Sequence, residues 1–460
     1  MNDDHEKQEV YIDQGDDYSL EEVPSHARRG TFSLSNVTLG VATAMFFMQV
    51  AGEIAVNYGS MNAIITSVYA TLLTGLLAMG IGYISAKTGL NANLMTRGLG
   101  YGVSGAAFTS IILAVNFIIY FSVEGSIMAH SFHAYFPSIP IWLFMIIVVV
   151  GIVPLNWYGI SLLEKFQKYS LPIYLILLIV GITIAINIDV PYTENWLNFM
   201  PEESTIGGLA LLSSIGMING VVGSQTLLTT DYTRFVKKDR VKFGAFAVGF
   251  LPQLFAFFIM GIVGSWFGVH FAESNPGVYM VAIMGVWGAL FTVITQVRIN
   301  VVNLNSASLA LTTFFARIFK LKPGRVFWVV MTGLISLTVM LLGLVDNLET
   351  LLTPMGVLLF SWTASLYADI FIVKRILKIG PKEIEYRESN LPAWNPVGPI
   401  ALIMSSFIGI MLVYEVVGPI LSPIAAFVAA LISFVLHILL AVITKGKYYY
   451  KKNERGYKLD

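Results

Sequence analysis

The sequence predicts an all-α membrane protein of twelve spanning helices, and three observations predict it. The 460 residues are 56% hydrophobic and only 12% charged, with a mean hydropathy of +0.73, far outside soluble composition. Apolar stretches of about 20 residues, the length a bilayer core requires, follow one another along the whole chain. The basic residues fall on alternate connections: Arg28 and Arg29, Lys87 and Arg97, Lys165 and Lys168, Arg234 to Lys242, Arg317 to Arg325, Lys374 to Arg387, and the tail from Lys445. The intervening connections carry acids only, among them Asp189, Glu194, Glu202, Glu203, Glu273, Asp346 and Glu349. An even number of spans with this bias places both termini in the cytoplasm and the chain in the cell membrane.

Composition excludes much else. Lys+Arg and Asp+Glu are each 28, so no net charge points to nucleic acid. Cysteine is absent, which removes disulfides and thiolate metal sites. The first 30 residues are polar and show no apolar core with a cleavage site, so the first span is expected to act as its own insertion signal. No P-loop and no His-Glu-x-x-His is present, and there is no selectivity-filter repeat. An intramembrane enzyme stays as the alternative class, with no paired nucleophile and base to support it.

The spans are expected near 34–57, 64–86, 105–133, 140–160, 168–188, 206–233, 243–269, 287–316, 326–346, 350–373, 397–417 and 419–444. In the first, Gly40, Thr43, Gln49, Gly52 and Glu53 interrupt the apolar run. Residues 87–104 are too polar to cross. In the sixth, Ser213, Ser214, Gly216, Asn219, Gly220, Gly223, Ser224 and Gln225 repeat the interruption. Broken helices five spans apart suggest an inverted repeat with a binding site at the break; the alternative is that small residues simply let helices pack closely. Residues 274–286 read as a short outer helix laid against the bundle, with the makings of a lid.

The eighth span is the most polar. Gln296, Arg298, Asn300, Asn303 and Asn305 stand in a run of Val, Ile and Leu, and an unpaired Arg at mid-bilayer costs roughly 3 kcal/mol or more. The stripe is therefore expected to face a solute chamber, with Arg298, Val301 or Val302 and Asn305 on one face. Arg298 is also the one basic residue that belongs to no cytoplasmic segment. The tenth span, with Thr353, Pro354, Gly356 and Ser361 to Ser365, is polar enough to pack inside or move.

Several of these stretches together resemble the nucleobase:cation symporter family, in its bacterial cytosine/purine permease branch. They are Ser25-His-Ala-Arg28-Arg29-Gly30, Gly82-Tyr-Ile-Ser-Ala-Lys-Thr-Gly89-Leu90, Thr230-Asp231-Tyr-Thr-Arg234-Phe235, Asn303-Leu-Asn305-Ser306-Ala-Ser308-Leu309, and Ala368-Asp369 before Lys374-Arg375. The resemblance implies a leucine-transporter-type fold: two inverted five-helix repeats, about 34–188 and 206–373, and two extra helices, about 397–444. These make up a transporter domain over 31–445 between cytoplasmic tails 1–30 and 446–460. It implies alternating access and import of a small nitrogenous heterocycle driven by Na+ or H+, with no cofactor and no obligatory protein partner.

By the same resemblance the substrate-stacking position falls at Tyr120, followed by Phe121. The amide partner of that position falls at Glu124, the ring-reading asparagine at Asn303 or Asn305, and the unwound part of the first span near Met45 to Gln49. Gln49 and Asn219 complete the expected substrate site; Glu53, Glu124 and Arg298 are the expected ion-coupling residues. Three departures from the family pattern bear on the substrate. Tyr120 replaces a Trp, Glu124 replaces an amide with a group that only accepts when ionised, and Glu53 stands in the outer half of the first span. Glu124, with Glu53, is expected to hold a protonated amine or amidine or to carry the coupling proton; the alternative is structural pairing with Arg298, and a merely hydrated Glu53. No Ser or Thr lies between Thr295 and Ser306, so the Arg298 guanidinium is expected to stand where a sodium ion would bind. That keeps sodium-independent uniport or exchange open.

Overall fold

A computed structural model describes residues 18, 21–158, 160–188, 196–202 and 204–450. Asp189, Glu194 and Glu203 lie outside that set, as do most of the N-terminal tail and residues 451–460. Among the described residues the regular structure is helical, with one isolated bridge between Arg29 and Val236.

Among the described residues fourteen main helices organise the chain: α1 Thr31–Ala42, α2 Met45–Tyr58, α3 Ser60–Thr88, α4 Ala107–Tyr135, α5 Ile141–Ile152, α6 Ile160–Ile186 and α7 Gly208–Thr233. They continue as α8 Lys238–Phe271, α9 Pro276–Met284, α10 Val286–Ile318, α11 Arg325–Leu341, α12 Leu348–Val373, α13 Val397–Val413 and α14 Ala425–Ile443. Among the described residues seven helices are long and apolar enough to cross a membrane, and α1 with α2, bent by 44°, makes an eighth when the pair is taken as one span. Each of the other expected spans corresponds to a shorter apolar helix, at Ile141–Asn156, Ser170–Ile186, Val326–Leu341 and Val397–Val413. Length and composition alone thus carry eight of the twelve expected crossings.

The expected interruption of the first span is present, just ahead of the predicted position. Thr43 leaves helical geometry and Ala44 is extended (φ −61°, ψ 135°), so the chain breaks at 43–44 and is helical again by Met45. Thr43 Oγ1 donates to the Gly40 carbonyl at 2.7 Å, a local bond that competes with the helix ladder. Broken backbone is tolerated inside a membrane protein where it borders a cavity or is buried in protein.

The sixth span corrects the sequence reading: α7 runs unbroken from 208 to 233. Its glycines are spent on close packing. A side chain on Gly220 would clash with the Leu352 carbonyl; on Gly223 it would stand 2.7 Å from Leu359 Cβ, and on Gly216 2.9 Å from the Pro423 carbonyl. Small residues here let α12 approach α7, which is the alternative the sequence left open.

Helix α10 packs along α4, α8 along α2, and α7 against both α3 and α12. The short helix α9 is laid against the bundle as expected, so tightly that Gly277 abuts the Ile127 carbonyl of α4. At the other end of the molecule Arg28 Nη1 donates to the carbonyls of Ala86 and, at 2.9 Å, Val236, strapping the N-terminal segment across α3 and the end of α7. Asp369, fully buried, accepts from His437 Nε2 at 2.8 Å and from Tyr449 Oη, which ties the segment after α14 to α12.

Candidate functional site

The site grows out of the break between α1 and α2. Four elements meet there: the break itself, α4, α7 and α10. They enclose a cavity of about 20 Å3 whose walls include Phe46, Phe47, Phe117 and Tyr120, with Glu124, Gln225 and Asn303 as its polar groups. The aromatic rings form a continuous wall. Phe46 and Tyr120 lie 4.7 Å apart between centroids and Phe117 meets Tyr120 edge-on at 6.3 Å. Such a wall offers π faces to a flat ligand, and the carboxylate and amides offer directional contacts.

Glu124, 2% exposed, is held from three sides. Gln296 Nε2 donates to its Oε2, the Phe46 N–H lies beside the carboxylate at the start of α2, and the Arg298 guanidinium is the facing positive charge. An anion at a helix N-terminus meets the free N–H groups and the positive end of the helix dipole. Glu124 therefore belongs both to the cavity wall and to the clamp that fixes the restart of the broken helix.

Arg298, 1% exposed, does not line the cavity. Its Nη2 donates to Thr43 Oγ1 at the break, and its guanidinium lies over the Tyr174 ring of α6 at 5.7 Å. Nε and Nη1 have no hydrogen-bond partner among the described residues. A permanent cation thus stands between α10 and the break in the first span.

The polar stripe of α10 is accordingly divided. Only Ile299, Val302 and Asn303 of this helix reach the cavity, spaced by three and four residues as one face requires. Gln296 and Arg298 brace Glu124 and the break. Asn300 accepts from Asn303 Nδ2 at 3.4 Å, and Asn305 is half-buried away from the cavity. The expectation that the whole Gln/Arg/Asn ladder lines the chamber, and that Arg298, Val301 or Val302, and Asn305 share its face, gives way to this register, in which Val302 alone of those four reaches the cavity.

Of the other sequence candidates, Tyr120 and Glu124 line the cavity with Asn303, and the rest are placed elsewhere. Phe121 points away, into a cluster with Met128, Met145 and Val148. Gln49 is buried on α2 and outside the lining. Asn219 accepts from the Tyr69 hydroxyl at 2.6 Å across α3 and α7. Glu53 accepts from the Leu348 N–H at 3.1 Å, so its carboxylate caps the start of α12 rather than entering the chamber. Gln225, Phe46, Phe47 and Phe117 line the cavity without having stood among the sequence candidates. Gln225 carried a signal, as an amide in the polar run Gly223-Ser224-Gln225-Thr226 of α7; the phenylalanines carried none, because an aromatic in a membrane helix reads the same whether it faces lipid, core or ligand.

Known proteins resemble this chain in sequence and in fold. The family model for permeases of cytosine/purines, uracil, thiamine and allantoin matches residues 23–436. Cytosine permease from Escherichia coli is 24% identical over 262 residues, 55% of this chain and 59% of that protein, so the match spans less than two thirds of the relative's length. Among solved structures, the inward-facing conformation of Mhp1 superposes with a TM-score of 0.74 at 16% identity over 93% of both chains. A closed conformation of Mhp1, a nucleobase-cation-symport-1 family transporter with bromovinylhydantoin bound, gives 0.69 at 15% identity over 94% of this chain and 99% of that one. A Na+-coupled sialic acid symporter in a substrate-bound outward-open state gives 0.60 at 13% identity over 96% and 94%. At these identities the superpositions show the fold, the leucine-transporter-type helical bundle.

Proposed function

The chain belongs to the family of permeases for cytosine/purines, uracil, thiamine and allantoin, and on that footing we propose that it is a secondary active transporter importing a small nitrogenous heterocycle or a related cationic amine or amidine by alternating access. The single observation that carries this reading is the aromatic cavity at the helix break, with one buried carboxylate in its wall. Stacking on Tyr120, Phe46 and Phe117 supplies affinity for any flat ring, and Glu124, Gln225 and Asn303 discriminate among ring edges. A carboxylate accepts only, so it favours rings that present N–H donors or a positive charge.

The cavity is closed down in this conformation. A ring sandwiched between Phe46 and Tyr120 needs those rings about 7–8 Å apart, two carbon–carbon contact distances, against the 4.7 Å observed between centroids. Entry of substrate therefore separates α2 from α4, and that separation is the local event of alternating access. The repeat division at 34–188 and 206–373 is the one the family resemblance implies, and the basic-residue pattern supports placing both termini on the cytoplasmic side.

For coupling, the Arg298 guanidinium on Thr43 supports a fixed cation in place of a bound sodium ion, with Glu124 as the group that carries a proton. The same observation favours a second reading, sodium-independent uniport or exchange. Uptake of radiolabelled nucleobases, hydantoins and small amidines into sealed proteoliposomes, with imposed proton or sodium gradients, tests both. The proposal expects accumulation of unchanged substrate above the external concentration under an inward proton gradient. Absence of any gradient-dependent accumulation across that panel, or recovery of a chemically altered substrate, would overturn it.

A further inference from the structure

A second cavity of about 10 Å3 adjoins the first and shares Val41, Gln225 and Leu228 with it. Its other polar walls are Thr38, Thr229, Tyr232 and Gln253, and none of its lining residues is charged. Gln253, 4% exposed, has its Oε1 buried with no hydrogen-bond partner among the described residues, and a buried amide oxygen left so is costly. It sits on a three-residue α-helical piece, Leu251–Gln253, between two π-helical stretches at Ala245–Phe250 and Leu254–Ile259. Wide turns of this kind cost helix stability and recur at functional sites. The Thr38 and Thr229 hydroxyls donate back to their own helices, Thr38 to the Leu34 carbonyl and Thr229 to the Gln225 carbonyl, which leaves their oxygens to accept.

We infer that the two cavities form a proton-exit track that runs from Glu124 past Gln225 to Gln253 on the side of the molecule carrying the chain's basic residues. This rests on Glu124 being the proton carrier. Cavities of roughly this size suit single water molecules when two or more polar groups line them; in this closed conformation neither admits a heterocycle, and the first does so only once α2 and α4 separate. The groups facing Glu124 are Arg298 from α10 and the phenols of Tyr120 on α4 and Tyr174 on α6. In the step, the Glu124 O–H bond breaks and its proton passes to a water oxygen in the first cavity, then to one in the second. The carboxylate left behind faces Arg298. The amides of Gln225 and Gln253 orient the waters and hold no proton. Beyond Tyr232 and Val248 the way is closed by the apolar cluster of Leu34, Ala86, Val236 and Val248 under the Arg28 strap. A proton therefore leaves only when that plug parts, which prevents a leak without substrate.

The test uses the full chain in proteoliposomes and the variants Gln253→Met, near-isosteric and apolar, and Gln253→Glu, which restores a polar oxygen. Three quantities are read on the same preparations: proton-driven uptake, substrate counterflow at equal pH on both sides, and substrate Kd. For Gln253→Met the track predicts at least a ten-fold loss of proton-driven uptake, with counterflow and Kd within about two-fold of the starting protein; Gln253→Glu regains most of the driven rate. Driven uptake unchanged in Gln253→Met overturns the track and leaves the carrier reading standing, and so does parallel loss of uptake, counterflow and affinity. Uptake by the unmodified protein that ignores the proton gradient overturns the track and the proton-coupled reading together.

Discussion

Replacing Glu124 by Gln isolates charge recognition, because the two side chains have nearly the same shape. The carboxylate contributes to the cavity wall and also takes the Gln296 amide and faces Arg298. A hydrogen bond to a charged partner is worth about 1.5–3 kcal/mol against roughly 0.5–1.5 for a neutral pair. A neutral ring exchanges a charge-assisted hydrogen bond for a neutral one, a loss of about 1 kcal/mol or roughly five-fold, while a cationic ligand also loses its Coulomb attraction to the carboxylate, so its affinity falls by at least about a further ten-fold. The substitution also removes the negative charge that faces the buried Arg298, which destabilises the protein. That cost falls on the protein whichever ligand is present, so it lowers the melting temperature without separating the two ligands. The assay is titration calorimetry on purified protein with a cyclic amidine and its lactam isostere, comparing the ratio of their Kd values before and after substitution. A ratio that does not move refutes charge recognition by Glu124, whatever happens to stability.

Arg298→Ser removes the fixed cation at the break and supplies a hydroxyl, so sodium is expected to raise substrate affinity or uptake in the variant and to have little effect before substitution; equal indifference to sodium in both would count against the tethered-cation idea. Gly220→Ala drives a methyl into the Leu352 carbonyl and is expected to cost about 1–3 kcal/mol, the range for overpacking. Gly40→Ala, with nothing within 4 Å, gains helix propensity of about 0.5–1 kcal/mol; thermal melts of the two variants in detergent should move in opposite directions. In the loop after α12, hydrogen bonding from Arg387 holds the Glu385 carboxyl at about 2, below its ordinary value of 4.5. Its contribution to loop order is thus full above pH 4.5 and fades as the pH falls towards 2, so limited proteolysis of residues 374–396 should be unchanged from pH 8 to 5.

The fold was legible because membrane helices announce themselves by length and composition, and because Arg and Lys mark one side. The break in the first span was legible for a similar reason, since Gly40, Thr43 and Gln49 crowd into one apolar run. The same kind of cluster in α7 misled. Gly216, Gly220 and Gly223 look like an interruption, yet each meets a neighbouring helix at contact distance, and one strand of sequence does not show the neighbour. Register was the other limit. Counting turns along α10 put Arg298 and Asn305 into the chamber, whereas its wall is Ile299, Val302 and Asn303; the difference is one residue of rotation, which only the packing partners Thr43, Tyr174 and Glu124 decide. Glu53 shows the same dependence, because a buried-span carboxylate reads as functional until the N-terminus of α12 is found against it.

The absence of cysteine from the chain makes one measurement decisive for the cavity at the helix break. Val302→Cys places a lone thiol in its wall, and Ser422→Cys places one on the loop before α14, outside that wall. The rate of alkylation by a small membrane-permeant maleimide is followed with and without a saturating heterocycle whose binding to the same variants has been measured. A chamber that holds the substrate predicts at least ten-fold protection at position 302 and none at 422. A ligand that binds both variants yet leaves the rate at 302 unchanged would contradict it.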